Sequence, residues 1–157
     1  MPQSGGTEHN GATYATIRDH IIQQVQKNYK HGQDVATSIR NMEVIDLSKE
    51  APVRKVSEKS NNTEKKVEQD GFNLIYNVEY TRFAKQQEAL SQNLIKTYAL
   101  ILSNYCTKGM ENRIEEHPEF ETKIRDDPIE LLKAIEMLVH NPMRTRYPFA
   151  SLMEAIN

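Results

Sequence analysis

The most constraining feature of this sequence is a row of side chains from Phe72 to Tyr105 that follow one another at steps of three or four. The nine steps cover 33 residues, about 3.7 per step, which is helical spacing and not the 2.0 of a strand. No Gly or Pro interrupts the row, so we predict a long helix at about residues 67–106 within an all-α helical bundle. The row consists of Phe72, Tyr76, Tyr80, Phe83, Gln87, Leu90, Leu94, Tyr98, Ile101 and Tyr105.

The two halves of this row differ in character. Residues 85–93 are polar except for Ala89 and Leu90, which is typical of a helix packed on one side. Residues 94–102 are apolar on nearly every side, so we expect them to be buried all round and the core to centre on 94–105. The exposed half is where we expect a partner. The sequence leaves open whether 72–105 is one rod or two helices with a kink near 86–93.

Composition argues for one domain with part of the chain outside its core. The 157 residues are 38% apolar, below the globular average of roughly 45–50%, and their mean hydropathy is −0.70. A net charge of −2 gives no overall positive field that would hold nucleic acid.

We expect a cytoplasmic or nuclear protein that is not secreted and does not enter a membrane. No apolar run approaches the ~18 residues of a membrane span. Residues 1–11 contain no apolar segment of the kind that signal peptides require. A single cysteine, Cys106, excludes an internal disulfide and suits a reducing compartment.

In chain order, four segments are predicted. Residues 1–11 are a polar tail expected to be disordered, and residues 12–43 form a helical hairpin. In that hairpin we expect Gly32 to take the left-handed cap conformation and Asp34 to cap the second helix. Residues 44–66 mix both charges without periodicity and predict a flexible linker, and residues 67–157 form the helical core.

The core contains two clear helix starts. Thr107 is a good cap for a helix that carries Met110 and Ile114. Asp127 followed by Pro128 predicts another start, because Asp suits the cap position and Pro the first helical position. After Asn141 and Pro142 end that helix, a further helix from Tyr147-Pro148 stops at residue 157, so we expect the core to be truncated.

We predict no catalytic, cofactor-binding or metal-binding residues, and therefore no enzyme. Tyr98 and Tyr105 could stack on bases, but tyrosines in a helical apolar row are usually core. Cys106 is interpreted as a buried structural thiol. Three histidines are isolated in sequence: His20, His31 and His140. The adjacent Glu115, Glu116 and His117 form only a weak metal-binding pattern. Arg144 and Arg146 form only a small basic spot.

The acids between residues 110 and 130 predict a solvated acidic face rather than a catalytic or cation-binding site. Their spacing is not that of a calcium-binding loop, and basic residues lie among them. The acids are Glu111, Glu115, Glu116, Glu119, Glu121, Asp126, Asp127 and Glu130.

Several short motifs carry a family resemblance. They are 98–101 (YALI), 106–115 (CTKGMENRIE), 127–135 (DPIELLKAI) and 146–148 (RYP), with 26–29 (QKNY), 32–36 (GQDVA) and 39–40 (IR) in the opening helices. These motifs resemble the N-terminal region of Gag-like polyproteins from copia-type LTR retrotransposons of the algal type. The resemblance covers most of residues 12–156 and leaves residues 46–66 unmatched.

The resemblance implies a non-enzymatic, capsid-like fragment that self-associates into particles around the RNA of its element. A homo-oligomer is therefore the expected assembly, whereas the charge of this segment does not support the RNA contact, and no small-molecule substrate or cofactor is implied. The alternative is a host helical adaptor that uses the long helix as a coiled coil. Steps averaging about 3.7 residues favour packing in a globular core over the 3.5 repeat of a sustained supercoil.

Overall fold

The computed structural model describes residues 6–140, with side chains from Thr13 onward. Five α-helices account for most of this part of the chain: Gly6–Asn28 (α1), Gly32–Asn41 (α2), Asn62–Tyr105 (α3), Lys108–Glu115 (α4) and Pro128–His140 (α5). A 3-10 turn at Leu47–Glu50 and a π-helical turn at Phe120–Ile124 are the other regular elements. No strand occurs within the described residues, and the all-α prediction built around one long helix is confirmed.

Helix α3 runs without interruption for 44 residues, so residues 72–105 belong to one helix. It begins five residues before the expected position 67. Asn61 explains the earlier start, because its side-chain oxygen accepts a hydrogen bond of 3.0 Å from the Glu64 backbone N–H. This contact satisfies one of the donors that a helix N-terminus otherwise leaves free.

Helix α1 begins at Gly6, inside the segment 1–11 whose polar composition predicts a disordered tail. Residues 6–11 are therefore helical, although they have no apolar periodicity of their own. Once the turns that follow are formed, each added residue gains a backbone hydrogen bond without a new nucleation cost. Residues 1–5 and the helix predicted after Pro142, including Arg144 and Arg146, lie outside the described residues.

The described chain divides into two compact units, one of residues 6–45 with 91–140 and the other of residues 46–90. In the first unit, α5 packs against α1, α2 and α4, and α1 also packs against α2. The core of this unit is thus centred on α1, α2 and α5, and not on residues 94–105 as the sequence suggested. The fully buried side chains include Ile21, Val25, Val35, Ile39, Ile101, Ile129, Leu131 and Leu132.

Two predictions for the joint between α1 and α2, the roles of Gly32 and Asp34 as caps, were wrong. His31, not Gly32, takes the left-handed conformation (φ 59°), and it is also the N-cap of α2, so Asp34 lies within the helix instead of capping it. Gly32 is required for a different reason. A Cβ atom at this position would lie 2.0 Å from the Val25 carbonyl oxygen, so only glycine allows the two helices to approach this closely.

Both helix starts predicted for the later part of the chain are confirmed. The Thr107 hydroxyl accepts a hydrogen bond of 3.1 Å from the Met110 N–H at the start of α4. At the start of α5, Asp127 Oδ1 accepts from the N–H groups of Ile129 and Glu130 at 2.9 and 3.1 Å. These local side-chain contacts fix both helix boundaries.

The C-terminal part of α3 is not buried all round. Thr97, Tyr98 and Ile101 are buried, but Ile95 is 51% exposed and Ala99 is also exposed. The prediction of burial on every side was wrong because an apolar side chain is buried only where another element packs against its face. Here the neighbouring elements cover one side of the helix.

Candidate interaction surface

In the unit of residues 46–90, α3 carries apolar side chains on two opposite faces. One face bears the aromatic row Phe72, Tyr76, Tyr80 and Phe83, in which the rings of Tyr76 and Tyr80 stack at 5.9 Å. At 3.6 residues per turn, a second set of apolar residues lies about half a turn away. Only the first face was recognised as an apolar row from the sequence.

The extended segment of residues 51–59, here called the strap, folds back along the aromatic face. The Ser57 N–H donates to Gln69 Oε1 at 2.9 Å, and Gln69 Nε2 donates to the Lys55 carbonyl at 2.9 Å. The Ser57 hydroxyl, which is buried, donates to Glu68 Oε1 at 2.8 Å. This part of the predicted linker 44–66 thus forms specific hydrogen bonds with α3, which its mixed composition did not predict.

A cation–π contact continues the strap along the same face. The Arg54 guanidinium carbon lies 4.3 Å from the centroid of the Tyr76 ring. Residue 57 is opposite residue 69 and residue 54 is opposite residue 76, so the strap runs antiparallel to the helix. An exposed contact of this kind contributes about 0.5–1 kcal/mol. Phe72, Tyr76 and Phe83 are half-buried, whereas Tyr80 is 51% exposed.

The opposite face of α3 is open, and we call it the apolar stripe. Its side chains are 68% (Val67), 66% (Leu74), 58% (Ile75) and 52% (Val78) exposed. Gly71 lies between them, and a Cβ atom built on it would have no other atom within 4 Å. The stripe therefore presents a continuous apolar surface with a shallow gap at Gly71.

The stripe is the main concentration of exposed apolar side chains in the described residues. Seven of the ten large apolar residues that are exposed within 13–140 belong to the unit 46–90, and four of these seven form the stripe. Single exposed apolar residues are normal on a protein surface, whereas a contiguous set indicates an interaction site. The stripe is the candidate functional surface of this protein.

The signal for the stripe was present in the sequence. Positions 67, 71, 74 and 78 are separated by four, three and four residues, which is helical spacing, and Ile75 adjoins them. The glycine within this set and the stronger aromatic row on the other face concealed it. The sequence correctly indicated the first half of the long helix as exposed, but not which of its two apolar faces is open.

The two tyrosines considered for base stacking lie in the first unit. Tyr98 is buried, and burial, together with the charges of Asp126 and Glu115, raises the pKa of its phenol to about 12. It lines an open cleft with Phe120, and Tyr105 is half-buried beside α1 residues such as Lys27. Tyr98 is a core residue as expected.

Cys106 is half-buried and remains a thiol at neutral pH. Burial, with a smaller contribution from Glu111, raises its pKa from 9.0 to about 12. Nucleophilic and metal-binding cysteines need a lowered pKa, because the thiolate is the reactive form. The environment of Cys106 thus agrees with the structural role assigned from the sequence.

The acidic residues between 110 and 130 lie mostly on the surface, and basic neighbours pair with several of them. Glu121 accepts from Arg125 at 2.8 Å, and Glu130 lies within 3.2 Å of Lys133 and 3.7 Å of Lys123. Arg113 pairs with Glu116. These contacts agree with a solvated face whose charges are partly balanced locally.

The weak metal pattern at Glu115, Glu116 and His117 does not form a site. His117 Nδ1 accepts a hydrogen bond of 3.0 Å from the Glu119 N–H and so closes the turn after α4. No cluster of three or more His, Cys, Asp or Glu side chains with metal-binding geometry occurs in the described part of the chain. Of the helices within residues 6–140, none has both the length and the apolar content that crossing a membrane requires.

The clearest feature with functional meaning in the described residues is an exposed helix face. Such a face is defined by shape, apolar area and flanking charge. Comparison with protein-family models, with curated proteins and with solved structures finds no match to this chain.

Proposed function

We propose that this protein is a non-enzymatic, Gag/capsid-like structural protein that acts by helix-mediated self-association. The observation that carries the proposal is the apolar stripe, where Val67, Leu74, Ile75 and Val78 are each more than half exposed. The Gag-like motifs in residues 98–115 and 127–135 support the structural role. Within this proposal the protein acts in the cytoplasm or the nucleus.

Association would cover apolar surface that the monomer exposes. Covering apolar surface gains about 25 cal/mol per Å², and fully burying a Leu or Ile side chain gains about 1.5–3 kcal/mol. The stripe contains four apolar side chains, two of Val and one each of Leu and Ile, that the fold of this unit leaves uncovered. Moderate gains of this size suit an assembly protein, in which many weak and identical contacts add up.

RNA binding is not part of the proposed function of this segment. The net charge is −2, and the described acidic residues around Glu121 and Glu130 pair with basic side chains that could otherwise contact phosphate. Affinity for a nucleic-acid backbone depends on unpaired Lys and Arg side chains. Self-association therefore explains the described surface better than an RNA contact does.

Sedimentation equilibrium over a range of concentrations tests the proposal. We expect the apparent mass of the wild type to rise above 18.1 kDa as the concentration approaches ~1 mM. Ile75→Lys places a charge at the centre of the stripe and should hold the protein at the monomer mass. Circular dichroism of the variant should show unchanged helix content, because residue 75 is exposed in the monomer.

Ile95→Lys is the matched control. Ile95 is an isoleucine of similar exposure on the same helix, but it lies outside the stripe. This variant should associate as the wild type does. A wild type that remains monomeric throughout would contradict the proposal and favour the host adaptor, in which a different protein covers the stripe.

A further inference from the structure

Residues of opposite charge flank the two ends of the apolar stripe along the axis of α3. Glu64 lies one turn before the first apolar residue of the stripe, and Lys85 lies about two turns after the last one. At 100° per residue, both side chains fall within about 40° of the centre of the stripe. Both residues are exposed, so the same helix face is acidic at one end and basic at the other.

This polarity selects one orientation for a second helix of the same kind. In a parallel pair, Glu64 would meet Glu64 and Lys85 would meet Lys85, and like charges that face each other oppose association. In an antiparallel pair, each acidic end meets a basic end. We propose that a second copy of this chain covers the apolar stripe in antiparallel orientation, with a two-fold axis between Leu74 and Ile75.

The positions of the central residues of the stripe agree with this register. About an axis between 74 and 75, residue 64 faces residue 85 of the second copy, and residue 71 faces residue 78. The gap at Gly71 therefore receives the Val78 side chain, while Leu74 and Ile75 meet at the centre. Two helices can approach closely where a larger side chain of one fits into the gap left by a small residue of the other.

The size of the surface sets the strength of the pair. The stripe is only about three helical turns long. The area that it can bury is therefore well below the roughly 800 Å² per partner of a standard interface. We therefore expect a weak dimer, with a dissociation constant on the order of 100 μM. This inference rests on the proposed function, since it names the surface and the geometry of the self-association.

Charge reversal tests the orientation. In the antiparallel pair, Glu64→Lys and Lys85→Glu each replace two attractive contacts per dimer with repulsive ones and should weaken association about tenfold. The double variant restores opposite charges and should recover the wild-type affinity within about threefold. Lys65→Glu is the control, because residue 65 lies on the other side of the same helical turn and should leave the affinity unchanged.

Spin-label distances test the register. In a Cys106→Ser background, labels are placed at Asn77→Cys or Thr63→Cys, two exposed positions on one flank of the stripe. The antiparallel pair places the two copies of residue 77 about 8 Å apart along the axis and the two copies of residue 63 about 35 Å apart. A parallel pair would place both sets at the same short separation, on the order of the distance between helices.

The outcomes separate this inference from the proposed function. A wild type that associates, but with short distances at both labels or with single charge reversals that change nothing, would overturn the antiparallel register and leave self-association standing. A wild type that stays monomeric at every concentration would refute both. Long distances at residue 63, short distances at residue 77 and rescue by the double reversal together establish the pair.

Discussion

The Asn93 side chain donates from Nδ2 to the Lys30 backbone carbonyl at 2.8 Å and so joins α3 to the end of α1. Asn93 is buried, although it stands in a stretch of α3 that is mostly polar and exposed. The bond spans 63 positions in sequence and satisfies a carbonyl that the end of α1 leaves without a helical partner. It is a specific polar contact that fixes the part of α3 from residue 91 onward to α1.

Asn93→Ala should lower the free energy of unfolding by about 0.5–1.5 kcal/mol, because it removes a partly buried hydrogen bond to the Lys30 carbonyl. Urea unfolding followed by circular dichroism measures the change. Ser91→Ala is the control, since Ser91 is exposed two residues earlier on the same helix, and it should shift stability by less than about 0.5 kcal/mol. Equal effects of the two substitutions would show that the hydrogen bond has no structural importance.

The same substitution, glycine to alanine, should have opposite effects at Gly32 and at Gly71. Gly32→Ala puts a Cβ atom 2.0 Å from the Val25 carbonyl oxygen, so α1 and α2 must move apart, and the loss should exceed about 2 kcal/mol. Gly71→Ala meets no atom within 4 Å and should stabilise α3 by about 0.5–1 kcal/mol. Thermal unfolding at low protein concentration compares the two variants. If Gly32→Ala matches or exceeds wild-type stability, the close approach described for the joint is incorrect.

Tyr14 predicts a loss of stability in alkali. Its hydroxyl donates to the Leu132 carbonyl at 3.2 Å, and burial, with Glu136, raises its pKa from 10.0 to about 12. Between pH 10 and 12 the unfolded chain releases this proton while the folded chain keeps it, so the free energy of unfolding falls as pH rises. The contribution is fully present below pH 10.

Tyr14→Phe isolates this effect. The variant should show a shallower decline of unfolding free energy between pH 10 and 12 than the wild type does, measured by urea unfolding at a series of pH values. Tyr98, whose pKa is also raised to about 12, keeps its own part of the decline in both proteins. Parallel pH profiles for the two proteins would show that Tyr14 does not keep its proton in the fold.

Cys106 should react slowly with alkylating reagents in the folded protein. With its pKa raised from 9.0 to about 12 by burial, the thiolate fraction near neutral pH is about 1,000-fold lower than for an unshifted thiol. The rate of iodoacetamide labelling should rise about tenfold per pH unit from pH 8 to 10 and beyond. In urea, where the thiol is exposed, the rate should instead level off above pH 9. A native-state rate that levels off near pH 9 would show that burial does not shift this thiol.

Local sequence signals predicted the elements of the fold. The uninterrupted spacing from Phe72 to Tyr105 predicted the long helix, and Thr107 and Asp127 predicted two helix starts. These signals work because helical backbone hydrogen bonds and their caps join residues no more than four positions apart. The left-handed residue at the first joint was assigned to Gly32 and not to His31, because both can end a helix and only the close approach to Val25 distinguishes them.

The sequence by itself determined an all-α chain with one long helix whose first half is largely exposed. Only the tertiary structure decided which of the two apolar faces stays open. The strap uses Ser57 and Arg54 to cover the aromatic face as far as Tyr76, and it leaves Leu74 and Ile75 exposed on the other face. The physical reason is that periodicity records which residues share a face, whereas burial depends on what packs against that face from elsewhere in the chain.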